Sequence, residues 1–317
     1  MNEPLAGLGL ATTWLNSQPL TAAGLRGRVV LVDFWTYTCV NWLRTLPYRQ
    51  AWLEKYGGHG LELIGVHTPE FDFEHDLGNV RREVEQLGVG YPVAVDNDYA
   101  IWTSFDNHYW PALYFVDGKG QVRHHHFGEG SYEQSETMIQ RLLTEAGASG
   151  FSQDFVDVDP TGVEVAADWS DLRSPENYLG SARTENFSSP TLGSGHRYVA
   201  PPELPLNHWA LAGDWTVTRS AVVLNDADGT ISYRFHARDL NVVMTPATPG
   251  SRIPFSVRVD GLRPDAAHGT DVDAEGNGLL DRPGLYQLIR QPGPITDRTF
   301  EITFEQPGAL AYAFTFG

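Results

Sequence analysis

The chain has 317 residues, of which 41% are hydrophobic and 12% aromatic. That is enough for two domains with cores of their own, and it excludes a disordered chain. A formal net charge of −18 argues against nucleic acid or an anionic membrane surface as a partner. A single cysteine, Cys39, excludes any disulfide within the chain. Oxidation therefore ends in a mixed disulfide, a dimer or a sulfenic acid. No run approaches the ~20 apolar residues of a membrane span. The start, Met1-Asn2-Glu3-Pro4, lacks the basic region and apolar core of a signal peptide. A cytoplasmic protein, or the soluble part of a longer one, is expected to begin this way.

In chain order, Val29–Phe34 reads as a buried central strand, followed by a helix from about Val40 to Tyr56. The apolar run Leu61–Val66 is a second strand, Asn79–Leu87 a second helix and Tyr91–Val95 a third strand. Ala112–Val116, the turn Asp117-Gly118-Lys119-Gly120 and Gln121–Phe127 read as a hairpin. Ser131-Tyr132-Glu133-Gln134 has capping-box spacing and opens a last helix, with Met138, Ile139, Leu142 and Leu143 on one side. The alternation predicts a mixed sheet with helices on both faces, over residues 1–147. Residues 148–172 are rich in Gly, Asp and Ser and read as a linker. From 173 to 317 the pattern changes to short alternating runs separated by polar turns. They are Ala221–Leu224, Ile231–Phe235, Leu240–Met244, Phe255–Val259, Phe300–Phe304 and Ala311–Phe316. They predict an all-β sandwich of jelly-roll type.

Cys39 falls at the turn from the first strand into the first helix. Unpaired backbone N–H groups and the helix dipole favour thiolate there and lower the pKa from ~8.5. The alternative is a small buried apolar residue, the usual fate of a lone cysteine. Four features favour the chemical reading. Asp33 stands in an otherwise apolar strand, where a carboxylate needs a task or a partner. Pro47 interrupts the following helix and should kink it. Trp110-Pro111 precedes a strand and is a candidate cis bond facing the thiol. Trp35 would cover the site from the side.

The run Trp35-Thr36-Tyr37-Thr38-Cys39-Val40-Asn41, with Leu43–Tyr48, resembles the thioredoxin-like region of DipZ-type proteins. Ile64–Phe71, Tyr109–Ala112 and Phe127–Gly130 are similar to further segments of that family, and the likeness continues from Tyr178-Leu179-Gly180 to Gly317. The resemblance implies an α/β thioredoxin-like domain followed by an all-β jelly-roll sandwich similar to carbohydrate-binding modules. It also implies an extracytoplasmic setting in the TlpA/ResA branch. The partners it implies are thiols and disulfides, a CcdA-like membrane electron donor and a glycan for the sandwich. No cofactor is called for. The family motif is Cys-x-Asn-Cys, whereas this chain has Cys39-Val40-Asn41-Trp42. Carried over are Cys39 as attacking thiol, Asp33 as buried carboxylate and Pro111 as substrate-facing proline, with Trp35, Asn41, Trp42 and Trp110 lining the site. The resolving thiol is missing, so ordinary dithiol reduction is not expected. Trp42 lies one turn after Cys39, and its indole N–H either donates to Asp33 or simply fills a retired site.

Two functions follow. One is thiol-disulfide exchange through one thiol with an external resolving thiol. The other is a redox-inactive binding protein that uses the first domain as scaffold. A one-cysteine peroxidase is a lesser alternative, since Thr36 matches the peroxiredoxin pattern but Val32 stands where that pattern has proline. On a strand His124 and His126 share one face while His125 points away, and with no third ligand no metal site is expected. Asp271–Gly276 imitates a calcium loop, but Arg282 occupies its twelfth position, and a hairpin turn is expected. Trp169, Tyr178, Tyr198, Trp209 and Trp215 are either a sugar platform or core, with core the expected fate.

Overall fold

A computed structural model describes residues 4–189 and 196–317. The chain divides into two compact units, Met1–Glu164 and Val165–Gly317. In the first unit the elements are β1 (Thr13–Leu15), β2 (Val29–Trp35), α1 (Val40–Tyr56), β3 (Leu61–His67), α2 (Leu77–Gln86), β4 (Val93–Val95), α3 (Ala100–Ser104), β5 (Ala112–Val116), β6 (Val122–Phe127) and α4 (Tyr132–Glu145). The sheet order is β1-β4-β3-β2-β5-β6. The pairs β2/β3 and β3/β4 are parallel, and β1/β4, β2/β5 and β5/β6 are antiparallel.

All seven residues of β2 are buried, as its unbroken apolar run requires of a strand covered on both faces. Val30, Val32 and Phe34 point into one core with Ile64, Ile101 and Phe105. The alternate residue Asp33 points to the other face, where α1 lies. Helices on both faces of a mixed sheet are thus observed. α2 begins at Leu77, before the expected Asn79, because the Asp76 carboxylate caps it by accepting from the Asn79 N–H at 2.9 Å. The capping box expected at Ser131 does not form. Ser131 has φ 50°, and its side chain makes no cap bond, although α4 follows directly.

The segment after α4, expected as linker, begins by packing on the first unit. Phe151 meets the Tyr56 ring edge-on at 5.6 Å, and the Val156 N–H donates to Glu136 Oε2 at 2.9 Å. Glu136, buried, also accepts from Trp52 Nε1 at 3.1 Å, Lys55 Nζ at 3.0 Å and the Tyr56 hydroxyl at 2.5 Å.

The second unit is antiparallel throughout its named strands. They are β7 (Asn177–Tyr178), β8 (His196–Tyr198), β9 (Trp209–Val217), β10 (Val222–Leu224), β11 (Gly229–Phe235), β12 (Asp239–Pro246), β13 (Ile253–Val259), β14 (Asn277–Leu280), β15 (Gly284–Arg290), β16 (Arg298–Phe304) and β17 (Ala309–Phe316). β9 pairs with β11 through Trp209–Ala212 and with β10 through Trp215–Val217. Gly213, between those stretches, has φ +99°, and a Cβ there would stand 2.9 Å from the Gly229 Cα. The strand changes partner where only glycine fits, and the sheet curls over its own core into a β-sandwich.

Trp209, Trp215 and Tyr198 lie in that core, and the Tyr178 ring is covered by the Arg183 guanidinium at 3.3 Å. Trp169 is 62% exposed. The five aromatics therefore make no common platform, and three of them are core. Asp273 closes the turn into β14 by accepting from the Asn277 N–H at 2.7 Å and its side-chain amide at 3.1 Å. No helix among the described residues is long and apolar enough to cross a membrane.

Candidate active site

β2 ends at Trp35, and α1 begins at Val40 with Cys39 as its N-cap residue. Cys39 has extended backbone (φ −75°, ψ 104°), and its carbonyl accepts the Leu43 N–H at 3.0 Å, the first bond of the helix. Its own N–H donates to the Thr36 carbonyl at 3.2 Å, which closes a turn over residues 36–39. The residue is partly exposed, whereas Thr38 and Val40 on either side are buried.

Trp42 points inward. Its indole Nε1–H donates to Asp33 Oδ2 at 2.9 Å, the first of the two alternatives for Trp42. The ring stacks on Trp35 with centroids 4.1 Å apart and planes 20° from parallel. Both indoles are wholly buried. The other oxygen of Asp33 pairs with Arg49 Nε at 3.3 Å. Burial raises the Asp33 carboxyl above its ordinary value, while Arg49 and the Trp42 hydrogen bond pull it back. α1 continues through Pro47 to Tyr56.

Arg49 was not legible as a site residue. It is only 2% exposed, as is Arg44, which pairs with Glu129 at 2.8 Å. A signal was available, since a buried carboxylate needs a cation, and Arg49 lies two turns beyond Trp42 on the same helix face.

The remaining expected residues gather at the same end of the sheet. Trp35 is opposite His67 in the β2/β3 register, and Phe34 is opposite Ala112, the residue after Pro111. The Trp110–Pro111 bond is cis. The Trp110 indole donates to the Thr68 carbonyl at 3.0 Å and packs on Trp102 at 4.2 Å. Asn41 stands half-buried on the first turn of α1. His67 lies buried between Trp35, edge-on at 5.1 Å, and Tyr37, stacked at 5.7 Å. Burial lowers its pKa to about 3, so the imidazole is neutral at every physiological pH.

Glu74 was likewise missed. Wholly buried, it accepts from Thr38 Oγ1 at 2.6 Å and from the backbone N–H groups of Glu70 and Phe71 at 2.6 and 2.9 Å. His124 and His125 are exposed on β6, and among the described residues no group of three His, Cys, Asp or Glu side chains is placed to hold a metal ion.

Comparison with known proteins agrees with this geometry. Residues 10–125 match the AhpC/TSA family, and residues 174–317 match the thioredoxin like C-terminal domain. Protein DipZ of Mycobacterium bovis is 38% identical over 244 residues, covering 74% of this chain and 34% of DipZ. This chain thus spans about a third of the length of that relative. The thiol-disulfide oxidoreductase YkuV of Bacillus subtilis is 27% identical over 145 residues, 46% of this chain and 97% of YkuV. A solved thioredoxin-like protein in the oxidised form is 28% identical, with a TM-score of 0.41, over 46% of this chain and 99% of its own. The chain therefore joins an AhpC/TSA redoxin domain, with Cys39 at its first helix, to a thioredoxin like C-terminal domain, and it is a homologue of DipZ.

Proposed function

We propose that the chain performs thiol-disulfide exchange through Cys39 alone, with the second half of each cycle supplied by a thiol from outside. The observation that supports this most is the placement of Trp42. The residue in the resolving position is turned inward, bonded to Asp33 at 2.9 Å and stacked on Trp35, while Cys39 keeps partial exposure at the head of α1. The site has lost one thiol without losing the frame that presents the other.

In the exchange step the Cys39 thiolate attacks one sulfur of a substrate disulfide. A bond forms between Cys39 Sγ and that sulfur, and the second substrate sulfur leaves as thiolate. An external thiolate then attacks the substrate sulfur of the mixed disulfide and releases Cys39 as thiolate. One disulfide is consumed and one is formed, so the cycle needs no net oxidant or reductant. This suits isomerase-like or thiol-coupled chemistry. The activity belongs outside the cytoplasm by the family resemblance.

The test is incubation of the full chain with a small symmetric disulfide, followed by intact-mass analysis. The expected result is one adduct per chain, absent in Cys39→Ser and removed by excess thiol with release of the exchanged disulfide. A wild-type chain that forms no adduct across the neutral range would sink exchange and favour the redox-inactive scaffold.

A further inference from the structure

Beside Cys39 lies a carboxyl that the exchange step does not use. Glu74 sits in the turn after β3, wholly enclosed, and the groups that donate to it are neutral: the Thr38 hydroxyl and the Glu70 and Phe71 backbone N–H groups. The Thr36 hydroxyl, neutral too, also favours its ionised form. Thr38, the residue immediately before the thiol, donates at 2.6 Å. The same turn is tied to the loop a second time, where the Tyr37 hydroxyl donates to the Phe73 carbonyl at 3.4 Å. Since the Cys39 N–H is held by the Thr36 carbonyl at 3.2 Å, Thr38 lies inside the turn that presents Sγ. Any change at Glu74 is therefore felt one residue from the nucleophile.

Several charged and titratable groups face this carboxyl and the loop it holds. Burial outweighs the stabilisation from Thr36, Thr38 and Phe71 and brings Glu74 to about 7, with Glu70 of its own turn adding to the rise. Asp76 of the same turn, with Arg82 and Glu83 from α2, acts on Tyr37 of the loop. Arg82 and Glu83 are themselves paired at 3.4 Å. His67 at the end of β3 is neutral, with His75 acting on it.

We propose that Glu74 is a positioning residue that sets the reactivity of the Cys39 thiol through Thr38. Ionised, it places a negative charge behind the loop and opposes formation of the thiolate. Protonated, it removes that opposition while still bonded to Thr38. Reactivity then follows two coupled protons rather than one. The proposal rests on the reading of Cys39 as a reacting thiol.

Iodoacetamide alkylation of the full chain, followed between about pH 5 and pH 9, separates the possibilities. The wild-type rate profile should show two inflections. Glu74→Gln keeps an acceptor for Thr38 and removes the charge. It should give a single inflection, with a neutral-pH rate higher by roughly three- to tenfold. Thr38→Val keeps the carboxyl and removes one donor to it, so the lower inflection should move to higher pH. A reactive thiol with one inflection, identical in wild type and Glu74→Gln, overturns the role of Glu74 and leaves exchange standing. If Glu74→Gln fails to fold, a Thr38→Val profile superimposable on wild type overturns it equally. A wild-type thiol inert at every pH overturns this inference together with the exchange reading.

Discussion

At the scale of the residue, the site turns on how a buried carboxylate is satisfied. Asp33 holds Trp42 and Arg49, one on each oxygen. Asp33→Asn would leave the Arg49 guanidinium buried without its counter-charge, at a cost of roughly 3–5 kcal/mol. Asp33→Asn combined with Arg49→Met should cost less than the two single changes added together, as read from urea midpoints. Trp42→Cys restores the second thiol and also empties the space of an indole. It should form an internal disulfide, seen as loss of titratable thiol, with stability lower by roughly 3–5 kcal/mol. If the variant folds but keeps both thiols reduced under oxidant, the frame around the pair no longer suits exchange.

Glu74 adds a pH dependence whose sign is fixed by its direction of shift. Its carboxyl holds a proton up to about 7 in the fold, against an ordinary value of 4.5. The folded state therefore binds more protons over that interval. The resulting stabilisation is complete below the unfolded value and is lost as pH rises through the folded one. Glu74→Gln should gain on wild type by about 3 kcal/mol in relative stability between pH 5 and pH 8, measured by chemical unfolding at each pH. A difference that stays flat across the interval would mean that the carboxyl does not titrate there.

At the scale of the element, α1 and the segment after α4 meet at Glu136, and Lys55 of α1 also donates to the Asp154 carbonyl. Glu136 takes hydrogen bonds from Trp52, Lys55 and Tyr56 of α1 and from the Val156 backbone. Glu136→Leu would take the acceptor from the buried Trp52 indole and Tyr56 hydroxyl and should lower stability by roughly 2–4 kcal/mol. It should also expose residues 148–156 to limited proteolysis. Unchanged cleavage would show that contacts other than Glu136, such as Phe151 on Tyr56, hold the segment. The extent of α1 and β2 was legible because an apolar run and a helical period are local signals. β1 and α3 are three and five residues long and carry no period to read. β9 escaped because Gly213 and Asp214 interrupt its alternation, and β15 because Leu285–Ile289 does not alternate; the pairing of both depends on partners elsewhere in the chain.

At the scale of the whole molecule, the charge of −18 surrounds the one thiol with a negative field. Iodoacetate, an anion, should alkylate Cys39 more slowly than neutral iodoacetamide after correction for their intrinsic reactivities. Added salt should narrow the gap as screening shortens the range of that field. A ratio independent of salt would mean that local dipoles at the head of α1, rather than net charge, govern approach.

The amino-acid sequence by itself determined the single thiol, its place between strand and helix, and the missing second cysteine. It also determined the change of class from α/β to all-β. These are matters of composition and short-range periodicity, which each segment carries alone. The Trp42 bond to Asp33 was one of two alternatives, suggested by the family resemblance. Only the tertiary structure decided that Arg49 completes that carboxylate and that Glu74 grips Thr38. Each of these depends on which remote groups share one buried volume, and hydrogen bonds and ion pairs inside that volume are settled by packing rather than by spacing along the chain.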